Sequence, residues 1–74
     1  MQIEVQPTQS DQRPANLISV QVWNHTNQQG FYQLLPNGMQ IQINANANLA
    51  IDLANGDTAF HNAGNVILDI QWLP

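Results

Sequence analysis

From Met39 to Leu53 (MQIQINANANLAIDL), apolar residues occupy every odd position, with amides, Ala50 and Asp52 between them. A period of two over such a stretch marks β-structure with one face buried and the other wet. Unbroken, it would make a strand of about 50 Å, far longer than strands in small domains run. Residues 44–48 are poor β-formers with little bulk to bury. The pattern therefore predicts a corner there, separating strand 39–44 from strand 48–54.

The same alternation recurs along the chain. Residues 1–6 place Ile3 and Val5 on one side and predict an edge strand. In 17–24 (LISVQVWN), Ile18, Val20 and Val22 share one face, and Leu17, Ser19, Gln21 and Trp23 the other. His25 to Gly30 reads as a loop. Phe31 to Leu35 is a strand stopped by Pro36-Asn37-Gly38, which predicts a type I turn with a G1 bulge and a hairpin to the strand from Met39. Asn55-Gly56-Asp57 is a second turn, Thr58 to His61 a short strand, and residues 62–65 (NAGN) a third turn. Val66 to Leu73 (VILDIQWL) is the most hydrophobic segment, predicted to lie centrally in a sheet.

One segment breaks the pattern. Residues 7–16 (PTQSDQRPAN) carry two prolines and no large apolar residue, which excludes a central strand. They read as an extended arm that orders against a partner. The expected organisation is an N-terminal strand and arm, 1–16, and a β domain, 17–74. The fold class is all-β: a small antiparallel β-sandwich or partly open β-barrel of six to seven short strands. Its expected core comprises Ile18, Val20, Val22, Phe31, Leu35, Ile41, Ile43, Leu49, Ile51, Leu53, Phe60, Val66, Leu68, Ile70 and Trp72.

Composition narrows the function classes. Arg13 is the only cation in 74 residues, against five carboxylates. That argues against nucleic-acid binding, which rests on Lys and Arg at phosphates, and five acids are too few for a DNA mimic. No apolar run approaches the ~18 residues of a membrane span, and no signal peptide is visible. Without cysteine there is neither a disulfide nor a thiolate metal site. Eleven Gln and ten Asn alternate with Ile, Leu and Val, so they read as the polar sides of sheets rather than a low-complexity tract. A surface of amides hydrogen-bonds without like-charge repulsion and suits packing against protein or glycan.

Candidate chemistry is sparse. Ser10 and Ser19 lack a nucleophile setting, and His25 and His61 stand alone, so no catalytic residue is assigned. Asp52 to Asp57 faintly suggests a calcium loop, but the spacing is that of an ordinary turn. Neither metal nor cofactor is expected. Trp23 and Tyr32 are expected to face outward. The pattern thus points to a non-enzymatic structural or interaction protein, with a virus or phage particle component (head decoration or cement, spike or fibre part) as the leading instance. Such a protein would reside in the virion, form homo-oligomers, and bind a capsid or scaffold protein and copies of itself. Trp23, Tyr32, Leu73 and Arg13 are the expected interface residues. The alternatives are a carbohydrate-binding module using Trp23 and Tyr32, and a small phage-encoded inhibitor of a host protein.

Overall fold

The computed structural model describes residues 2–74. Eight strands run in order: β1 (Ile3–Val5), β2 (Ser10–Gln12), β3 (Ser19–Trp23), β4 (Gly30–Leu35), β5 (Ile41–Ile43), β6 (Asn48–Asp52), β7 (Ala59–Asn62) and β8 (Leu68–Leu73). They form two four-stranded antiparallel sheets. Sheet 1 has the order β1-β8-β3-β6 and sheet 2 the order β2-β7-β4-β5. Only the β4–β5 connection stays within one sheet; every other loop crosses to the facing sheet. Two sheets of this order make the eight-stranded jelly-roll form of the β-sandwich.

Alternation explains the packing. Val20 and Val22 of β3, Leu68 and Ile70 of β8, and Phe60 of β7 are inaccessible to solvent, and Trp72 is nearly so. They fill a single layer between the sheets with Val5, Tyr32, Ile43 and Val66. The shortest extent of the molecule is 17 Å, which leaves room for one side-chain layer between sheets about 10 Å apart. Trp72 Nε1 donates to Asp11 Oδ2 at 2.8 Å, tying β8 of sheet 1 to β2 of sheet 2. Among the described residues, no buried side-chain polar atom lacks a partner.

The central position of β8, the corner between residues 43 and 48, and the turn at Asn55-Gly56 all appear as the pattern predicts. Several expectations are corrected. There are eight strands, not six or seven, because the proline-flanked segment 7–16 contains β2. This segment is an edge of sheet 2 rather than a detached arm, and edge strands tolerate flanking proline. Its one inward side chain is Asp11, so no hydrophobic period announces it. The β4–β5 hairpin exists, but its pairing ends at Tyr32 and Ile41. No glycine has positive φ, so the G1 bulge is absent. Instead Gly38 N–H closes onto Leu34 O at 2.7 Å, and a Cβ on Gly38 would collide with that oxygen.

The core differs in phase at β4. Its inward residues are Gly30, Tyr32 and Leu34, not Phe31 and Leu35. The chosen phase puts Gln33 outward; the other would bury its amide among hydrocarbons. Ile18 is 61 % exposed and Ile41 48 %. Ile18 precedes β3, and Ile41 opens β5 at a sheet edge, so neither is covered by the facing sheet.

Tyr32 stacks on Phe60, with ring centroids 5.6 Å apart and planes 14° from parallel. Burial raises its phenol pKa above the usual 10.0. The neutral phenol is therefore favoured by folding. This contribution is complete below the unfolded value near 10 and is lost as pH climbs through the folded value. Because Tyr32 is the chain's only tyrosine, tyrosinate absorbance should titrate with a midpoint above that of the urea-unfolded chain. Coincident midpoints would refute the burial.

Candidate functional site

The loops that cross between sheets are held by two buried asparagines. Asn62 Nδ2 donates to Val5 O at 2.8 Å and Val66 O at 2.7 Å, while Gly64 N–H donates to its Oδ1 at 3.1 Å. Asn24 Nδ2 donates to Gln28 O at 2.8 Å, and Thr26 N–H donates to its Oδ1 at 3.0 Å. Both are essentially inaccessible and act as internal braces. Apart from the exposed Ile18, Met39, Ile41 and Ile67, the surface available to a partner is the outer face of each sheet.

The two faces differ. Sheet 1 turns Trp23 outward, paired across the ladder with Asn48 on β6 and Asp69 on β8. Gln21 and Gln71 form the next row, and Gln21 Nε2 donates to Asn48 Oδ1 at 3.3 Å. Glu4, Asp52 and Asp69 all lie on this side, and His25 Nε2 stands 3.4 Å from Asp69 Oδ2. Sheet 2 turns outward Ser10 and Gln12 of β2, His61 of β7, Phe31, Gln33 and Leu35 of β4, and Gln42 of β5. These positions include no Asp, Glu, Lys or Arg. Phe31 and Leu35 are only half-buried, and they flank a central row of Gln33, His61 and Ser10 in cross-strand register. Ser10 Oγ lies 2.7 Å from His61 Nδ1, a pair set by direct cross-strand register. Both groups lie on an open sheet surface rather than in a cleft.

The residues expected at an interface are scattered. Trp23 and Leu73 lie on the outer face of sheet 1, half-buried. Tyr32, expected to face outward, is buried at 4 % exposure. Arg13 is occupied within the molecule: Nε donates to Leu17 O at 2.8 Å, and one terminal nitrogen donates to Ala54 O and Asp57 O at 2.8 and 2.9 Å. It braces residues 13–18 against the 54–58 turn, around a shallow groove of about 380 Å³. The Asp57 carboxylate likewise closes its own turn, accepting from Ala54 N–H at 2.9 Å. Sequence reasoning missed Phe31 and Leu35 as surface residues because it took the opposite phase for β4. The amide at 33, between them, was the available signal.

No family model, curated protein or solved structure matches this chain. No helix of the described residues is long and apolar enough to cross a membrane.

Proposed function

We propose that this is a non-enzymatic structural and interaction protein that docks through the uncharged outer face of sheet 2, in concrete form a virus or phage particle component such as a head-decoration, spike or fibre part. The observation that carries the reading is the composition of that face, where half-buried Phe31 and Leu35 flank Gln33 and His61 among Ser10, Gln12 and Gln42, with no Asp, Glu, Lys or Arg. Interfaces are depleted in charged residues and enriched in aromatic ones relative to the rest of a protein surface. The broad side of the molecule, 33 × 24 Å, offers roughly 800 Å², about one partner's share of a standard interface. The three carboxylates of sheet 1 disfavour stacking two copies through that side and so select the orientation. Jelly rolls serve in viral capsids and in lectins, which is support by analogy of fold alone.

Docking here adds affinity rather than rescuing an incomplete fold. The accessible surface, 4482 Å², is close to the roughly 4,600 Å² of a free-standing monomer of this size. A second reading rests on the other face, where Trp23 sits between Asn48 and Asp69 in the arrangement of a sugar-stacking ring flanked by hydroxyl-binding groups.

One set of measurements separates these readings. Light scattering across micromolar to millimolar concentration should show self-association, or the protein should be retained on purified phage particles. Gln12→Arg with Gln42→Arg should abolish either behaviour without moving the unfolding midpoint. A strict monomer that no particle retains would remove the proposal. Glycan-array binding lost in Trp23→Ala would put the second reading in its place.

A further inference from the structure

All six strand pairings of the two sheets join the first half of the chain to the second. Strands β1 to β4 alternate with β5 to β8 across both sheets, so neither half contains a ladder of its own. At a shift of 38 positions, eight of the 36 residues of one half recur in the other. Met-Gln-Ile stands at 1–3 and 39–41, Asn at 24 and 62, Gln at 33 and 71, and Leu-Pro at 35–36 and 73–74.

The structure keeps the same shift. Ile3 pairs with Ile70 as Ile41 pairs with Tyr32, and Ser10 pairs with His61 as Asn48 pairs with Trp23. Thr8 and Asn46 both take left-handed backbone, at φ 71° and 59°. Asn24 N–H donates to Ala47 O and Asn62 N–H to Gln9 O, at 2.8 and 2.9 Å. The amide bonds from Asn24 to Gln28 O and from Asn62 to Val66 O match as well.

Two departures have local form. The β4–β7 ladder is displaced by two residues from its counterpart β3–β8, an even step that keeps every side chain on its face. Gly30 stands where the correspondence places Leu68. A Cβ there would already touch Leu68 Cδ2 at 3.3 Å and Val66 Cγ2 at 3.0 Å, so this part of the core accepts one large side chain and not two.

We infer that the chain is two copies of one self-complementary unit, residues 1–36 and 39–74, and that the surface each unit buries is a recognition surface for the unit itself. This assigns the fold's organising interface to a two-fold pairing of like partners, joined by Asn37-Gly38. It is independent of what the outer faces bind. It also carries a geometric consequence. β8 and β1 pair in the register of the β4–β5 hairpin, so a junction of the length that joins β4 to β5 should equally join β8 to β1.

The test is a circular permutant of the whole chain, opened between Gly38 and Met39 and closed from Pro74 to Met1 by Asn-Gly. A second permutant carries a closing linker of about eight Gly/Ser residues. Both should be monomeric and cooperative, with thermal midpoints within about 5 °C of each other, and the Asn-Gly form should show the parent's strand pairing by NMR. Folding only with the long linker would overturn the equivalence of the two junctions. Failure of both would overturn the two-unit organisation itself.

Discussion

Asn62→Ala is expected to lower the stability of the fold by ~3–5 kcal/mol, among the large losses that breaking a buried hydrogen-bond network produces. The side chain is 0 % exposed, and its amide satisfies the carbonyls of Val5 and Val66 while its oxygen takes the Gly64 N–H. Alanine leaves three backbone groups without partners in a place water does not reach, and each orphan costs about 1–3 kcal/mol, less than additively. A domain of this length has roughly 4–11 kcal/mol in total, so the variant should be largely unfolded at modest urea concentrations. Asn24→Ala should cost less, because the Thr26 hydroxyl stands 3.0 Å from Gln28 O and can take over that carbonyl. Urea titrations followed by tryptophan fluorescence read both effects. A loss under 1 kcal/mol at position 62 would mean the loop is braced by something else.

Phe60→Ala is the second large effect, at ~3–5 kcal/mol for an aromatic removed from a closed core. Phe60 is fully buried at the centre of sheet 2's inner face and stacks on Tyr32. The cavity would open between two thin sheets that share a single side-chain layer, so collapse around it would have to bend a ladder. The same titration measures the loss, and the tyrosinate midpoint gives a second reading. Without Phe60 above it, Tyr32 becomes solvated and its phenol should return toward 10. A stable variant with an unmoved tyrosine midpoint would contradict the stacking geometry.

How much of this was legible beforehand follows from where the physics is local. Alternation in 39–53, the weak middle at 44–48 and the apolar closing strand are one-dimensional signals, and each became the element it indicated. β2 was not legible, because a three-residue edge strand whose inward residue is Asp11 has no hydrophobic period. Its place depends on an indole nitrogen 61 positions away. The phase of β4 rests on one residue, since FYQLL offers two apolar residues on either side and only Gln33 marks the outer one. The ring of Phe60 on the neighbouring strand stacks on the inward Tyr32. The pattern puts Asn24 at the end of strand 17–24 and Asn62 in the 62–65 turn, whereas Asn62 ends β7 and Asn24 follows β3; their burial depends on carbonyls that include those of Ile43 and Val5, far along the chain. Of the candidate interface residues, Trp23 and Leu73 reached an outer face, Tyr32 entered the core, and Arg13 was taken up by three carbonyls.

The chain by itself determined that it would be a β-protein with a greasy side and an amide-rich wet side, because period-two alternation acts between neighbours along the strand. It also carries eight identities of 36 at the 38-residue shift, Met-Gln-Ile and Leu-Pro among them, too few to mark a repeat until the strand registers match. Tertiary structure alone decided which strands meet, which half-buried side chains share a face, and that every ladder joins one half to the other. Those outcomes depend on backbone hydrogen bonds between segments far apart in sequence, and the polypeptide encodes such partners only through the shape and polarity of the whole layer they enclose.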